Sequence, residues 1–358
     1  MKIFDRTLEA IDNGRLGLNE GLFHGFNRLK EYIPNIQKKT YYTVAGETAS
    51  GKTALTDYMF MYSPFDYIKS FNGDTDLKLK IIYWSFEIDI ESKITKGICQ
   101  KIYKDYGILT DVNYILSKGK NRISDEVYQL VLNTRGYFDE LHDVVEIYAE
   151  AINPTGISKR VDEYMQSVSI KHGEGYQAHY TPKDDNLYVL NIIDHCGLIK
   201  AQVDAPTKKD RIDAISSKLI SYRNKYGMIP VMISQFNRGI ASVERELASK
   251  NKPDYSKVRP QLADIKDTGS LAEDSNVVLS IFSPNRYSIP DYNGYDITKL
   301  RDRHRSVSVL KGRDGVPDLD LGVCYLGECG LFKELPLPSE ITQAHYASIV
   351  NKKKVTTV

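Results

Sequence analysis

The sequence predicts an α/β fold: a mostly parallel central sheet covered by helices on both faces. Three observations carry this. Strand-like runs alternate with helical stretches along most of the chain. Several of these strands are apolar almost throughout, as strands buried on both faces are; the clearest is Leu187-Tyr188-Val189-Leu190-Asn191-Ile192-Ile193. A loop bounded by glycines, Gly46-Glu47-Thr48-Ala49-Ser50-Gly51-Lys52-Thr53, sits between an early strand and a helix.

The elements follow in chain order. Ile3, Phe4, Leu8 and Ile11 recur at helical spacing over residues 3–12, and Gly14 stops the run. This short amphipathic helix either packs on its own domain or docks on a neighbouring subunit, and the spacing favours neither. Residues 40–45, β-branched and aromatic, form a strand, and 54–62 a helix. A second strand over 80–86 closes on Glu87 and leads to a helix over 91–106. Residues 110–142 are polar and helical, with a cap at Ser124-Asp125-Glu126. A strand at 144–148, a helix at 155–168 and a loop near Gly173 and Gly175 come next.

The apolar strand 187–193 closes on Asp194, and a charged helix over 208–226 leads to a strand at 229–234. A long polar segment covers 236–262. Strands at 277–282 and 307–310 precede a terminal hairpin over 320–326 and 329–333, and a frayed, charged tail is expected from Lys352. The chain divides into an N-terminal helix and linker (1–20), a main domain (21–335) and a C-terminal tail (336–358).

Composition narrows the class. The 358 residues carry 48 basic and 47 acidic side chains, a net charge of +1. That balance excludes a polybasic protein while leaving room for a local phosphate-facing patch. Cys99, Cys196, Cys324 and Cys329 form no CxxC pair, which argues against zinc; Cys196 and Cys324 read as small core residues in strand-like surroundings. A reducing cytosol suits them. The N-terminus lacks a signal-peptide run and no stretch approaches the roughly 20 apolar residues of a membrane span, so a soluble cytoplasmic protein without a membrane partner is expected.

The loop Gly46 to Thr53 matches GxxxxGK[ST]. Its glycines let successive N–H groups turn inward on phosphate oxygens, and the following helix adds the positive end of its dipole. Lys52 would reach the β- and γ-phosphates of ATP, and the Thr53 hydroxyl would hold Mg²⁺. The plain alternative is a glycine-rich turn without a ligand. Asp194, at the end of a buried strand, suits a carboxylate that binds Mg²⁺ directly or through water; strand-end aspartates also simply begin turns. Glu87 is the candidate for orienting and deprotonating the attacking water, with Asp89 as its rival and a solvated helix start as the plain alternative. Gln235, after the strand ending at Ser234, could sense the γ-phosphate, although a strand-end Gln is usually polar surface.

Taken together these blocks resemble the RecA-like motor domain of DnaB-type hexameric replicative helicases. Tyr83-Trp84-Ser85-Phe86-Glu87 looks like the family's strand ending in Ser-Leu-Glu, whose Glu is the catalytic base. Ser124-Asp125-Glu126, the strand at 144–148 and Asn153-Pro154-Thr155 resemble its intervening segment. Ile192-Ile193-Asp194-His195-Cys196-Gly197-Leu198 stands where the family has Ile-Asp-Tyr-Leu-Gln-Leu. Ile233-Ser234-Gln235-Phe236-Asn237-Arg238 is close to its Ser-Gln-Leu-Asn-Arg block. Ala263 to Ser270 with Glu273 to Val278 resembles Asp-Leu-Arg-Glu-Ser-Gly-Ser and an acidic turn into a strand, and Leu310 to Gly315 resembles Lys-x-Arg-x-Gly. The resemblance runs from about residue 15 to 333. Three departures stand out: His195-Cys196-Gly197 replaces Tyr-Leu-Gln, Lys266 replaces the DNA-loop Arg, and, with only about 20 residues before the motor, the family's helical N-terminal domain is not expected here.

The resemblance implies an ATP-hydrolysing DNA helicase of bacterial or phage-infected cytoplasm, assembled as a homo-hexamer or other head-to-tail ring on single-stranded DNA. Lys311 and Arg313 would complete a neighbour's site in trans; alone they read as a solvated strand end. Lys266, Asp267 and Gly269, with Arg238, match DNA-contacting positions, and the segment 236–266 holds seven basic and four acidic residues. The basic helix with Lys208, Lys209, Arg211, Lys218, Arg223 and Lys225 is either a further contact or a solvated face. Primase or loader proteins are further implied partners, and residues 3–12 could correspond to a linker helix that swaps onto the next subunit. Two other readings compete: a RecA-like DNA-stimulated ATPase, a recombination mediator or loader that binds DNA without unwinding, and a small-molecule kinase.

Overall fold

The computed structural model describes residues 3–120, 122–175, 178–237, 259–265, 269–312 and 319–350. A nine-stranded sheet runs through them in the order β13-β12-β11-β8-β1-β7-β6-β2-β3. Its strands are β1 (Tyr42–Gly46), β2 (Lys78–Ser85), β3 (Val145–Tyr148), β6 (Leu187–Asp194), β7 (Ile229–Gln235), β8 (Val277–Phe282), β11 (His304–Gly312), β12 (Asp320–Leu326) and β13 (Leu331–Glu334). Two small hairpins, β4 (Ser169–His172) with β5 (His179–Pro182) and β9 (Asp291–Tyr292) with β10 (Tyr295–Asp296), complete the set. From β8 to β3 every pairing is parallel, while β11, β12 and β13 add an antiparallel edge. This is the expected α/β architecture.

The period-two alternation of each strand divides the core. Ile81 and Tyr83 of β2, with Leu190 and Ile192 of β6, face one layer, where Leu55 and Phe60 and the N-terminal residues Leu22, Phe26, Leu29, Ile33 and Ile36 pack. Ile82 and Trp84, with Val189 and Ile193, face the other, built on helices Pro154–Ser167 and Lys208–Tyr226 through Ile157, Val161, Ile212, Ile215 and Leu219. Both faces are apolar, which is why the strands read as continuous hydrophobic runs.

Local chemistry sets the element ends. Ser124 caps helix Asp125–Asn133 by accepting from the Val127 N–H at 3.3 Å, as expected. Thr207 and Asp210 form a capping box at the start of helix Lys208–Tyr226, and Gly227, at φ 76°, closes it in the left-handed region.

Several elements differ from expectation. The helix after the phosphate loop begins at Lys52 and continues past Tyr62: a π-turn over Tyr58–Tyr62 lets Pro64 enter at the first turn of helix Ser63–Lys69, where its missing N–H costs nothing. The strand before Glu87 ends at Ser85, whose hydroxyl donates to the Ile88 carbonyl at 2.6 Å and turns the chain. The loop at Gly173 and Gly175 is the connection of the β4–β5 hairpin. β11 starts three residues early, at His304, because His304, Arg305 and Ser306 are polar yet buried. Helix Gln343–Val350 lies inside the expected tail and buries Tyr346 and Ile349. Cys196 sits in a 3-10 turn rather than a strand; all four cysteines are buried. The first helix spans Ile3–Arg15 and leaves Phe4, Leu8 and Ile11 exposed.

Candidate functional site

The phosphate loop leaves the C-terminal end of β1, between β7 and β8, where Gly46 pairs with Gln235 and Ile281. Ligand crevices of open parallel sheets lie at these strand ends. Gly46 has to be glycine: a Cβ there would stand 2.8 Å from both Ile281 Cγ2 and Ser50 Oγ. Gly51 takes φ 105°, and Ala49, at φ 58°, holds a second left-handed position in the same loop. The loop curls onto one carbonyl, that of Glu47, which accepts from Ser50 N–H at 3.2 Å, Ser50 Oγ at 2.8 Å and Lys52 Nζ at 2.7 Å. Lys52 is buried, and burial lowers its pKa against the opposing pull of Glu87, Asp194 and Glu47.

Parallel pairing of β2 with β6 brings the acids to the same edge. Ser85 pairs with Asp194, and the Phe86 N–H donates to the Asp194 carbonyl at 2.8 Å. Asp194 is fully buried, and the Thr53 hydroxyl donates to its Oδ1 at 3.2 Å. Burial lifts its pKa to about 6, a rise that Asp57 and Glu87 reinforce and that Lys93 and the Thr53 hydrogen bond oppose. Thr53 and Asp194 thus present two hard oxygen donors side by side. Among the described residues no group of three or more His, Cys, Asp or Glu is placed to hold a metal. That donor set fits Mg²⁺, which binds through one or two carboxylates, waters and phosphate oxygens rather than an all-protein cage.

Glu87 lies two residues beyond β2, half-exposed, with a carboxylate oxygen 3.9 Å from His195 Nε2. Its rival Asp89 is committed elsewhere: Oδ1 accepts from the Ser92 N–H at 2.8 Å and caps helix Ile90–Tyr106. Gln235 donates from Nε2 to the Thr48 hydroxyl, so its side chain meets the phosphate loop directly.

Lys311 is not part of this constellation within its own chain. It pairs with Val278, whereas Ile281 pairs with Gly46, which sets it about 10 Å short of the loop along the strand and two strands across. Its ammonium donates to the carbonyls of Ala272 and Glu273 at 2.7 and 2.8 Å, at the end of helix Gly269–Asp274. Gly269 opens that helix. Arg313, Lys266, Asp267 and Arg238 lie outside the described residues, as do 238–258 of the polar segment. The basic helix is not simply a solvated face: Arg223 is buried and donates to Asn276 Oδ1 at 2.7 Å, and Arg211 Nη1 donates to the Ile199 carbonyl at 2.7 Å.

Two groups of residues around the loop escaped the sequence reading. Behind Asp194, Tyr83, Asp57 and Lys93 form a buried polar cluster. On the far side, Arg286 Nη1 donates to the Thr48 carbonyl, the Tyr287 hydroxyl to Glu47 Oε1, and Arg305 Nε to the Ser50 carbonyl at 2.9 Å. Arg305 also donates to the carbonyls of Asp302 and His304 at 2.7 and 2.8 Å and stands over the Tyr325 ring at 5.0 Å.

A phosphate loop at the end of a central parallel strand, with a buried carboxylate two strands away, defines a P-loop nucleotide-binding domain of the RecA-like class. Residues 170–334, just under half of the chain, match the family model of the DnaB-like helicase C terminal domain. The match takes in Asp194, Gln235 and Lys311 and begins after the phosphate loop and Glu87. Among solved structures the chain is similar to one described as an ATPase domain, with a TM-score of 0.69 and 15% identity, over 94% of this chain and 100% of that one. It is also similar to a DnaB-like replicative helicase whose structure was described with its interactions with primase, with a TM-score of 0.62 and 16% identity over 88% of this chain. This chain spans 64% of that longer one. At these identities the likeness is one of fold. No curated protein matches the chain in sequence. Among the described residues no helix is long and apolar enough to cross a membrane.

Proposed function

We propose that this chain is the motor of a ring-forming, ATP-driven helicase that translocates on single-stranded DNA, with residues 21–335 as the motor domain. The observation that carries this reading is the meeting of Lys52, Thr53, Asp194, Glu87 and Gln235 at one edge of the sheet, in a chain whose residues 170–334 match the DnaB-like helicase C terminal domain. Lys52, Thr53 and the backbone of Gly46 to Thr53 would hold the triphosphate, and Thr53 with Asp194 would hold Mg²⁺. Bound there, Mg²⁺ supplies charge neutralisation of the phosphate oxygens. Glu87 orients and accepts a proton from the attacking water, and its half-exposed position beside the loop supports that role. Gln235, bonded to Thr48, couples the loop to the segment after β7, where the DNA-contacting residues Arg238, Lys266, Asp267 and Gly269 are proposed.

The separation of Lys311 from its own phosphate loop supports action in trans. A cation that cannot reach the nucleotide of its own chain can complete a site only on another copy, and with Arg313 it would neutralise γ-phosphate charge across a head-to-tail contact. Repeated, such contacts make a ring, and a hexamer is the assembly proposed. The exposed Phe4, Leu8 and Ile11 of the first helix suit a surface laid on the adjacent subunit. Primase and loader proteins are proposed as partners on the strength of the family.

The test is ATP hydrolysis with and without single-stranded DNA, together with strand displacement on a forked duplex. The expected outcome is hydrolysis stimulated by DNA, lowered by about a hundredfold or more in Lys52→Ala, and displacement that requires ATP. DNA-stimulated hydrolysis without displacement would point instead to a DNA-binding ATPase that loads or remodels. Hydrolysis indifferent to DNA would sink the motor reading.

A further inference from the structure

The buried polar cluster behind the metal-binding pair is used by none of the steps above. Lys93, 2% exposed, lies in the first turn of helix Ile90–Tyr106, just past Glu87. Its ammonium bonds both carboxylate oxygens of Asp57 at 2.9 Å and stands 4.0 Å over the Tyr83 ring. The Tyr83 hydroxyl lies 2.7 Å from Asp57 Oδ1 and 3.3 Å from Asp194 Oδ2. A phenol has one proton to donate, so the hydroxyl sits between two carboxylates and can serve one at a time.

Stability alone gives little reason for charges here. The surrounding layer is apolar, with Leu55, Phe60, Ile81 and Ile192, and a buried ion pair is often no better than packed hydrocarbon. Geometry offers a reason. Thr53 donates to one oxygen of Asp194, and the Tyr83 hydroxyl can donate to the other when its proton turns from Asp57; two such bonds fix the rotation of a carboxylate. Metal ligands are commonly aimed by partners of this kind.

We propose that Tyr83, held by the Asp57–Lys93 pair, is a positioning residue for Asp194, setting the carboxylate so that Oδ1 faces Thr53. The same cluster ties the helix that follows Glu87 to the metal-binding pair. The inference rests on the reading of the site as one for ATP and Mg²⁺.

The experiment titrates Mg²⁺ into the full chain in the presence of a fluorescent ATP analogue, read by anisotropy, for the wild type, Tyr83→Phe and the charge-neutral pair Asp57→Asn with Lys93→Met. Tyr83→Phe removes one oxygen atom, so it keeps the packing even if the double variant fails to fold. The Mg²⁺ half-saturation point should rise by about ten- to a hundredfold, with affinity for the analogue in EDTA unchanged. An unmoved half-saturation point in Tyr83→Phe overturns the proposal. So does an equal loss of affinity with and without Mg²⁺, which marks a merely structural role. The parent reading fails in a separate way: the wild type binds no analogue, or Lys52→Ala binds it as well as the wild type does, and this proposal then falls with it.

Discussion

The phosphate loop has two walls, and they hold it by different means. The inner wall, β2 and β6, reaches the site through side chains: the Tyr83 hydroxyl lies between the carboxylates of Asp57 and Asp194, and Asp194 accepts from the hydroxyl of Thr53. The outer wall, β8 and β11, works mainly on the backbone: Arg286 and Arg305 bond the carbonyls of Thr48 and Ser50. Groups that bond a carboxylate or hydroxyl bear on what that group binds, whereas groups that bond carbonyls bear on the shape of the loop. The inner wall should therefore tune metal and nucleotide, and the outer wall should hold the loop folded.

Substitution of Arg305 gives the larger separation of the two. Arg305→Met leaves the carbonyls of Ser50 and His304 short of a donor in a buried place, at a cost of about 3 kcal/mol. Chemical denaturation should show that loss while the Mg²⁺ half-saturation point stays within about twofold of wild type. A variant of normal stability and altered Mg²⁺ response would erase the distinction between the walls.

Acid should loosen the outer wall next. Burial pushes the pKa of His304, Arg305's neighbour, down to about 3 from 6.5. The unfolded chain then binds a proton near pH 6.5 that the folded one refuses. The stability His304 allows is thus full above pH 6.5 and lost as pH falls from there towards 3, amounting to about 2 kcal/mol by pH 5. Urea midpoints at pH 7 and pH 5, compared between wild type and His304→Gln, measure it. Equal pH dependence in the two would show that His304 does not contribute.

Sequence legibility follows the same division. The phosphate loop was visible because its chemistry is contiguous, and Asp194 because it ends a strand apolar enough to declare its burial. That the sheet is mostly parallel followed from strands alternating with helices, while the order of its strands is seen only in the fold. Asp57, Lys93 and Arg305 were not visible: Lys93 and Arg305 have polar neighbours and read as surface, and Asp57 reads as the one charged residue of a mostly apolar helix. Their partners are remote in the chain, 36 residues for Lys93 and Asp57 and 255 for Arg305 and Ser50. The same disguise shortened β11, whose first three residues are buried and polar. Helix Gln343–Val350 was missed because its few apolar residues pack on a corner formed by distant segments around Ile297, Leu300 and Leu331.

The proposed sharing of each nucleotide between two copies of the chain can be decided by mixing two inactive variants. On the proposed sharing, Lys52→Ala would spoil a copy's own loop, and Arg313→Ala would spoil what that copy lends to its neighbour. A mixed ring contains some interfaces in which an intact Lys52 faces an intact Arg313, so DNA-stimulated ATP hydrolysis should partly return when the two are combined. No return, with co-assembly of the variants confirmed, would contradict the account.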